Sequence, residues 1–165
     1  MDTEFDIKNN IIVFTDGSKT RYRCGYGVYF INEEFKSYGH SFKIEPLTNQ
    51  RAELYAVISA LKMINNELNE ERRNYKKIII YSDSLYTIQC YNKYYKTWNV
   101  NGWKTANNEE VKNKDIIKLG LSTINFIKSK YKIDVEFIHV KSHTGNKDPI
   151  SLANEIADIL ATKKY

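Results

Sequence analysis

Two apolar runs in this chain each close on an aspartate followed by small polar residues. The first is Ile11-Ile12-Val13-Phe14-Thr15-Asp16-Gly17-Ser18 and the second Ile78-Ile79-Ile80-Tyr81-Ser82-Asp83-Ser84. Two further carboxylates stand out by position. Glu53 opens a stretch with helical spacing, and Asp158 lies in the last such stretch, four residues after Asn154. Singly, each has an ordinary explanation. A strand-end aspartate is a common turn residue, a first-turn glutamate is favoured by the helix dipole, and a carboxylate on an amphipathic helix is usually solvated. Brought together they repel, unless one is protonated or a cation lies between them. Mg²⁺ takes oxygen ligands and keeps several waters. Two such ions about 4 Å apart can clamp the attacking and leaving oxygens of a phosphodiester displacement. Three or four carboxylates on otherwise apolar elements meet that demand.

The elements that must position them follow from periodicity. A β-rich apolar run predicts a buried strand over about 10–16, with a second at Gly25–Ile31 and a third over about 36–43 after the Asn32-Glu33-Glu34 turn. Pro46 interrupts the chain, and Thr48 or Asn49 can cap a helix over about 50–68. The second Asp-ending strand is expected over about 77–82, and a Tyr- and Lys-rich helical stretch over about 84–105 with a break at Asn99–Gly102. A helix over about 111–130, a strand from Tyr131 to Val140, a loop with His143 and Gly145, and a helix over about 151–163 complete the chain. An antiparallel meander joined to parallel strands by crossover helices makes an α/β fold, a mixed sheet with helices on its faces. Such sheets gather their sites along one edge, at the strands' carboxyl ends, where Asp16 and Asp83 would meet.

The chain has 165 residues, which suits one domain with a real core. No stretch approaches the ~18 apolar residues of a membrane span, and the acidic start Met-Asp-Thr-Glu-Phe-Asp lacks the apolar core of a signal peptide. An intracellular location is expected. Two cysteines, Cys24 and Cys90, are too few for a disulfide framework or a zinc site and read as reduced thiols. The net charge of +5 and pI near 9.0 favour an anionic partner, with nucleic acid first.

Seven motifs, in order, make the chain resemble ribonuclease H of type 1. They are Phe14-Thr15-Asp16-Gly17-Ser18, Thr48-Asn49-Gln50-Arg51-Ala52-Glu53-Leu54, Tyr81-Ser82-Asp83-Ser84, Gly102-Trp103-Lys104-Thr105-Ala106, Val111-Lys112-Asn113-Lys114-Asp115, His139-Val140-Lys141-Ser142-His143-Thr144-Gly145 and Ala153-Asn154-Glu155-Ile156-Ala157-Asp158. The resemblance covers about residues 10–163 of one domain, 1–165, without a separate hybrid-binding domain. It implies a five-stranded mixed sheet whose first three strands are antiparallel, and endonucleolytic hydrolysis of the RNA strand of RNA–DNA hybrids. Two Mg²⁺ ions, replaceable by Mn²⁺, would leave 5′-phosphate and 3′-hydroxyl ends. Asp16 would bridge both metals, Glu53 and Asp83 would bind the ion at the leaving oxygen, and Asp158 the ion that activates water. His143 would assist proton transfer or product release.

The resemblance also assigns the partner, an RNA–DNA hybrid bound by a monomer. RNA is told from DNA through 2′-hydroxyls in the wide minor groove. Asn49 and Gln50 would bond there, while Thr48 and Asn113 would hold a DNA phosphate. The segment Tyr86–Lys118 looks like the family's basic protrusion, with Lys93, Lys96, Lys104, Lys112, Lys114 and Lys118 neutralising phosphates. Tyr94 and Trp98 are expected to pack on deoxyribose, and Trp103 in the core. In the last helix Ile156, Ile159 and Leu160 are expected inward. Asp148, in a loop longer than in many members, competes with Asp158; the helical pattern around Asp158 favours the latter, and Asp148-Pro149 reads as a turn. The loop after Asp16 is short, and Pro46 stands where some relatives place a basic phosphate contact. The alternatives are the nuclease domain of a reverse transcriptase, or an inactive nucleic-acid-binding module on the same fold.

Overall fold

The run Ile11–Phe14 is buried on both of its faces, which makes it the centre of a sheet. The computed structural model describes residues 5–70 and 74–163. In it β1 (Asn10–Lys19) lies between β2 (Cys24–Phe30) and β4 (Lys77–Ser82), with β3 (Tyr38–Ser41) and β5 (Asp134–His139) on the edges. The strand order is β3-β2-β1-β4-β5. The first three strands pair antiparallel, and β4 and β5 run parallel to β1. The expected mixed sheet is therefore present.

The helices are α1 (Asn49–Glu70), α2 (Leu85–Gln89), a π-helical stretch Cys90–Tyr94, α3 (Tyr95–Asn101), α4 (Lys114–Tyr131) and α5 (Pro149–Thr162). Side chains alternate across a strand, so Ile11 and Val13 face the core beneath α1 and α4, with Leu54, Ile58, Ile117 and Ile127. Ile12 and Phe14 face the other layer, with Ala153 and Ala157 of α5. The Phe14 ring stacks on Tyr81 at 4.5 Å.

Several boundaries differ from the sequence expectation, each for a local reason. β1 does not stop at Asp16. Its parallel pairing with β4 ends at Thr15↔Ser82, but its antiparallel pairing with β2 continues to Lys19↔Cys24. The third strand is cut to four residues. Tyr131 closes α4 rather than opening a strand, because its hydroxyl reaches Asn65 across the α1–α4 seam. α4 starts late, since the Val111 amide donates to the Trp103 carbonyl and Asn113 takes a left-handed φ of 64°. Asp148-Pro149 is a helix start and not a free turn. Asp148 accepts from the Ser151 amide at 3.1 Å, with proline at the first helical position. Thr48 caps α1, accepting from the Arg51 amide at 3.1 Å.

The largest correction concerns the face of α5. A Cβ on Gly27 would lie 2.4 Å from the Ala157 carbonyl oxygen and 2.7 Å from the Ala161 amide. At Gly25 it would lie 2.6 Å from the Ala161 oxygen. The helix backbone thus rests on bare strand backbone, and only Ala153, Asn154, Ala157 and Ala161 fit the seam. Ile156 and Ile159, expected inward, are 37% and 59% exposed, and Leu160 is half-buried. Hydrophobicity pointed to the wrong face because close approach selects for small size. Gly27→Ala should lower stability by about 1–3 kcal/mol, whereas Ile159→Lys should stay within about 0.5 kcal/mol of the unaltered protein. Urea unfolding of the two variants checks both values.

Candidate active site

The point where β1 leaves β4 but stays with β2 opens a gap at the sheet edge, and the carboxylates gather there. Asp16 is buried, 3% exposed, on the residue after the last β1–β4 pair. Asp83 follows β4 directly, in a turn held by the Ser84 amide on Ser82 Oγ at 3.0 Å. Ser84 then caps α2. Glu53 comes from the second turn of α1, brought against β1 by Gly17. A Cβ there would sit 2.4 Å from the Glu53 amide nitrogen and 2.7 Å from the Ala52 carbonyl carbon. One carboxylate oxygen from each of Asp16, Glu53 and Asp83 lies within 4.8 Å of the others.

Asp158 joins from α5, one turn after Asn154, and its charge helps to raise the Glu53 carboxyl. It also lines a small cleft with Asp83, His143 and Asn154. The Asn154 amide donates to Asp83 Oδ2 at 3.2 Å, and a His139 ring nitrogen lies 3.2 Å from the Asp83 carbonyl oxygen. His143 stands on the exposed loop before α5 in a left-handed conformation, φ 52°. Asp148 is exposed and occupied as the α5 cap, and the Ser151 hydrogen bonds hold its carboxyl below the usual range.

Electrostatically the cluster is uncompensated. Burial, then the charges of Glu53 and Asp83, push the Asp16 carboxyl far above the usual carboxylate range. Burial and the Asp83 charge do the same to Glu53, although its bond with Asp16 pulls the other way. Among the described residues, Glu53 Oε2 and Asn154 Oδ1 are buried acceptors with no hydrogen-bond partner. Hard oxygen donors, excess negative charge and orphaned acceptors together fit a divalent cation.

Of the binding residues anticipated from the sequence, Thr48, Asn49 and Gln50 stand at the start of α1, Tyr94 and Trp98 on the π-helical stretch and α3, and Lys104 and Asn113 between α3 and α4. Asn49 and Gln50 are exposed on the first turn of α1, four and three residues ahead of Glu53 and so on its side of the helix. Asn113 is buried, donating from Nδ2 to the Tyr86 hydroxyl at 3.0 Å. Lys104 is exposed. Tyr94 and Trp98 are half-buried and lie against one another at 5.6 Å, and Trp98 lies 5.5 Å from Trp103, which is buried as expected. Cys24 and Cys90 are both free and buried.

One residue was not singled out from the sequence. Arg51 is only 2% exposed and holds Asp115 in a two-pronged ion pair at 2.7 and 2.8 Å, with a further bond to the Glu45 carbonyl at 3.1 Å. It ties the start of α1, next to Thr48, to the first turn of α4, next to Asn113. An arginine in a first helical turn reads as solvated, and its partner is 64 positions away, so periodicity carries no signal for it.

Comparison with known proteins bears on this site. The RNase H family model matches residues 8–165. Ribonuclease H of Orientia tsutsugamushi (strain Boryong) is 36% identical over 162 residues, covering 94% of this chain and 83% of that protein. Ribonuclease H1 of Homo sapiens is 32% identical over 162 residues, covering 92% of this chain but 48% of its own length. The chain thus spans about half the human protein. In fold it is similar to the foamy viral protease-reverse transcriptase solved in complex with RNA/DNA hybrid, with a TM-score of 0.67 at 21% identity over 98% of this chain and 22% of that one. Sheet order, the four gathered carboxylates and a family match over nearly the whole length agree: the chain belongs to the ribonuclease H family.

Proposed function

We propose that this protein is a metal-dependent endonuclease that hydrolyses the RNA strand of RNA–DNA hybrids, leaving 5′-phosphate and 3′-hydroxyl ends. The observation that carries this is the convergence of Asp16, Glu53 and Asp83 oxygens within 4.8 Å, with Asp158 beside them. Three elements hold that much negative charge together only if a cation or a proton relieves it. Asp16, Glu53, Asp83 and Asp158 would hold two Mg²⁺ ions, with Mn²⁺ as substitute, and Asp16 is the carboxylate at the centre of the group. When bound, the ions would supply an activated water and charge stabilisation at the attacking and leaving oxygens of the phosphodiester.

The chain's own groups bind and orient. Asn49 and Gln50, on the side of α1 that carries Glu53, hydrogen-bond in the minor groove, where 2′-hydroxyls distinguish RNA. Thr48 and Asn113 hold a phosphate of the DNA strand, a contact that positions without reading sequence. Arg51 keeps those two elements at a set separation. Lys104 and the other exposed lysines of the protrusion neutralise phosphates, and the half-buried Tyr94 and Trp98 pack on deoxyribose. His143, on a loop beside Asp83 and Asp158, moves a proton at the leaving oxygen or eases product release. The likeness in fold to a reverse transcriptase keeps a second reading, the nuclease domain of such a polyprotein; its catalytic chemistry would be the same.

Asp16→Asn should abolish cleavage of a labelled hybrid while gel-shift binding survives, and EDTA should abolish cleavage by the unaltered protein. Cleavage that persists in either case overturns the proposal. Asp158→Asn should lower kcat by on the order of a hundredfold or more. Asp148→Ala should leave kcat unchanged and cost about 0.5–2 kcal/mol of stability through loss of the α5 cap.

The raised Asp16 pKa fixes the sign of a pH effect. The folded protein keeps a proton that the unfolded chain releases above about 3.8, so metal-free stability falls as pH rises from there. Thermal melts in EDTA should show that decline, and Mg²⁺ or Asp16→Asn should flatten it.

A further inference from the structure

A groove of about 250 Å³ lies at the far end of the β1–β2 hairpin, bounded by β3 and the last turn of α5. Ser18, Thr20, Tyr22, Arg23, Ser41 and Lys163 are among the residues that line it. No acidic side chain among the described residues does so. It begins close to the carboxylates. Ser18 is two residues along β1 from Asp16, about 7 Å, and Thr162 is four residues along α5 from Asp158, about 6 Å, with Lys163 directly after it.

The chemistry of its walls is selective. Tyr22 is 82% exposed, and the Arg21 guanidinium lies 5.4 Å from its ring centre. Arg21 lies over the ring, most of which stands in water. Among the described residues Arg21, Arg23 and Lys163 have no ion-pair partner. The hydroxyls of Ser18, Thr20 and Ser41 add hydrogen-bonding groups. An exposed aromatic platform flanked by unpaired cations and hydroxyls suits a nucleotide of a single strand, whose base is free to stack and whose phosphate meets the cations. A duplex has no free base to offer the ring, because its bases already stack on each other. The lysine-rich protrusion follows β4, whereas this groove sits on the β2–β3 side of β1, so the two cationic surfaces flank the carboxylates.

We propose that the groove holds an unpaired RNA nucleotide adjoining the hybrid segment, its base on Tyr22 and its phosphate against Arg23 and Lys163. The assignment rests on the hybrid-nuclease reading for its biological context, and its test does not need cleavage. Fluorescence anisotropy with a short, labelled single-stranded RNA, in EDTA, reads binding alone. Tyr22→Ala should weaken binding about tenfold. Arg23→Gln should weaken it and make the logarithmic salt dependence shallower by about 0.7. Lys8→Gln, an exposed lysine at the opposite end of β1, should change neither, and circular dichroism confirms that all three fold. Equal affinity and equal salt slope in Tyr22→Ala, Arg23→Gln and the unaltered protein overturn the proposal. An effect of Arg23→Gln without one of Tyr22→Ala also overturns it, because the site would then be a phosphate contact without a base platform. Failure of the unaltered protein to cut any hybrid would remove the nuclease reading and leave this binding result standing.

Discussion

Two helices in this protein lie directly against strand backbone, and the site exists because they do. At Gly17 the start of α1 approaches β1 so closely that a methyl group would sit within 2.4 Å of the Glu53 amide. At Gly27 the same happens between β2 and α5. These contacts bring Glu53 and Asp158, from opposite layers, to the edge where Asp16 and Asp83 already stand. Any side chain larger than hydrogen would push one carboxylate away from the others. The close approach is paid for in specificity of packing: α5 carries alanines on its buried face and leaves isoleucines in water.

Such a cluster opposes folding. Burial, and after it the crowding of like charges, drives the Asp16 and Glu53 carboxyls towards protonation and destabilises the charged, metal-free cluster. The rest of the molecule supplies the stability that tolerates this. Ile11, Val13, Ile78 and Ile80 are fully buried beneath α1 and α4, and Phe14 stacks on Tyr81 on the other side. The two apolar runs therefore serve twice, as the centre of the core and as the rigid base from which the aspartates project. Arg51 has a comparable part at the helical end. Its ion pair with Asp115 joins the two elements proposed to meet the DNA strand, while its Nε lies buried without a partner among the described residues.

Positive charge is distributed around the acidic centre on both flanks. On one side the protrusion built from the π-helical stretch, α3 and the start of α4 presents exposed Lys93, Lys96, Lys104 and Lys112. On the other, the β1–β2 hairpin presents Arg21 and Arg23. A polyanion drawn to either patch would be led towards carboxylates that repel it in the absence of divalent cations, so under the proposed function metal loading and substrate approach would be electrostatically linked.

Much of the fold was legible in the sequence, because strands and helices of this length advertise themselves by period. The mixed sheet, the Asp83 strand and the burial of Trp103 all followed from apolar spacing and from the resemblance, and so did the candidacy of Asp16, Glu53, Asp83 and Asp158. Local signals also favoured Asp158 over Asp148. Beyond that, pattern failed where contact distance decides. Hydrophobicity sent Ile156 and Ile159 inward, since it weighs transfer from water and is blind to the glycines of β2 across the seam. Ending β1 at Asp16 missed that one partner strand stops there and the other continues. Arg51 was invisible because its partner lies 64 residues away. The sequence by itself determined which residues are able to do the chemistry, through their types and order along the chain. Only the tertiary structure decided how near they come and what each one costs, because both depend on the separation of backbones that meet far apart in sequence.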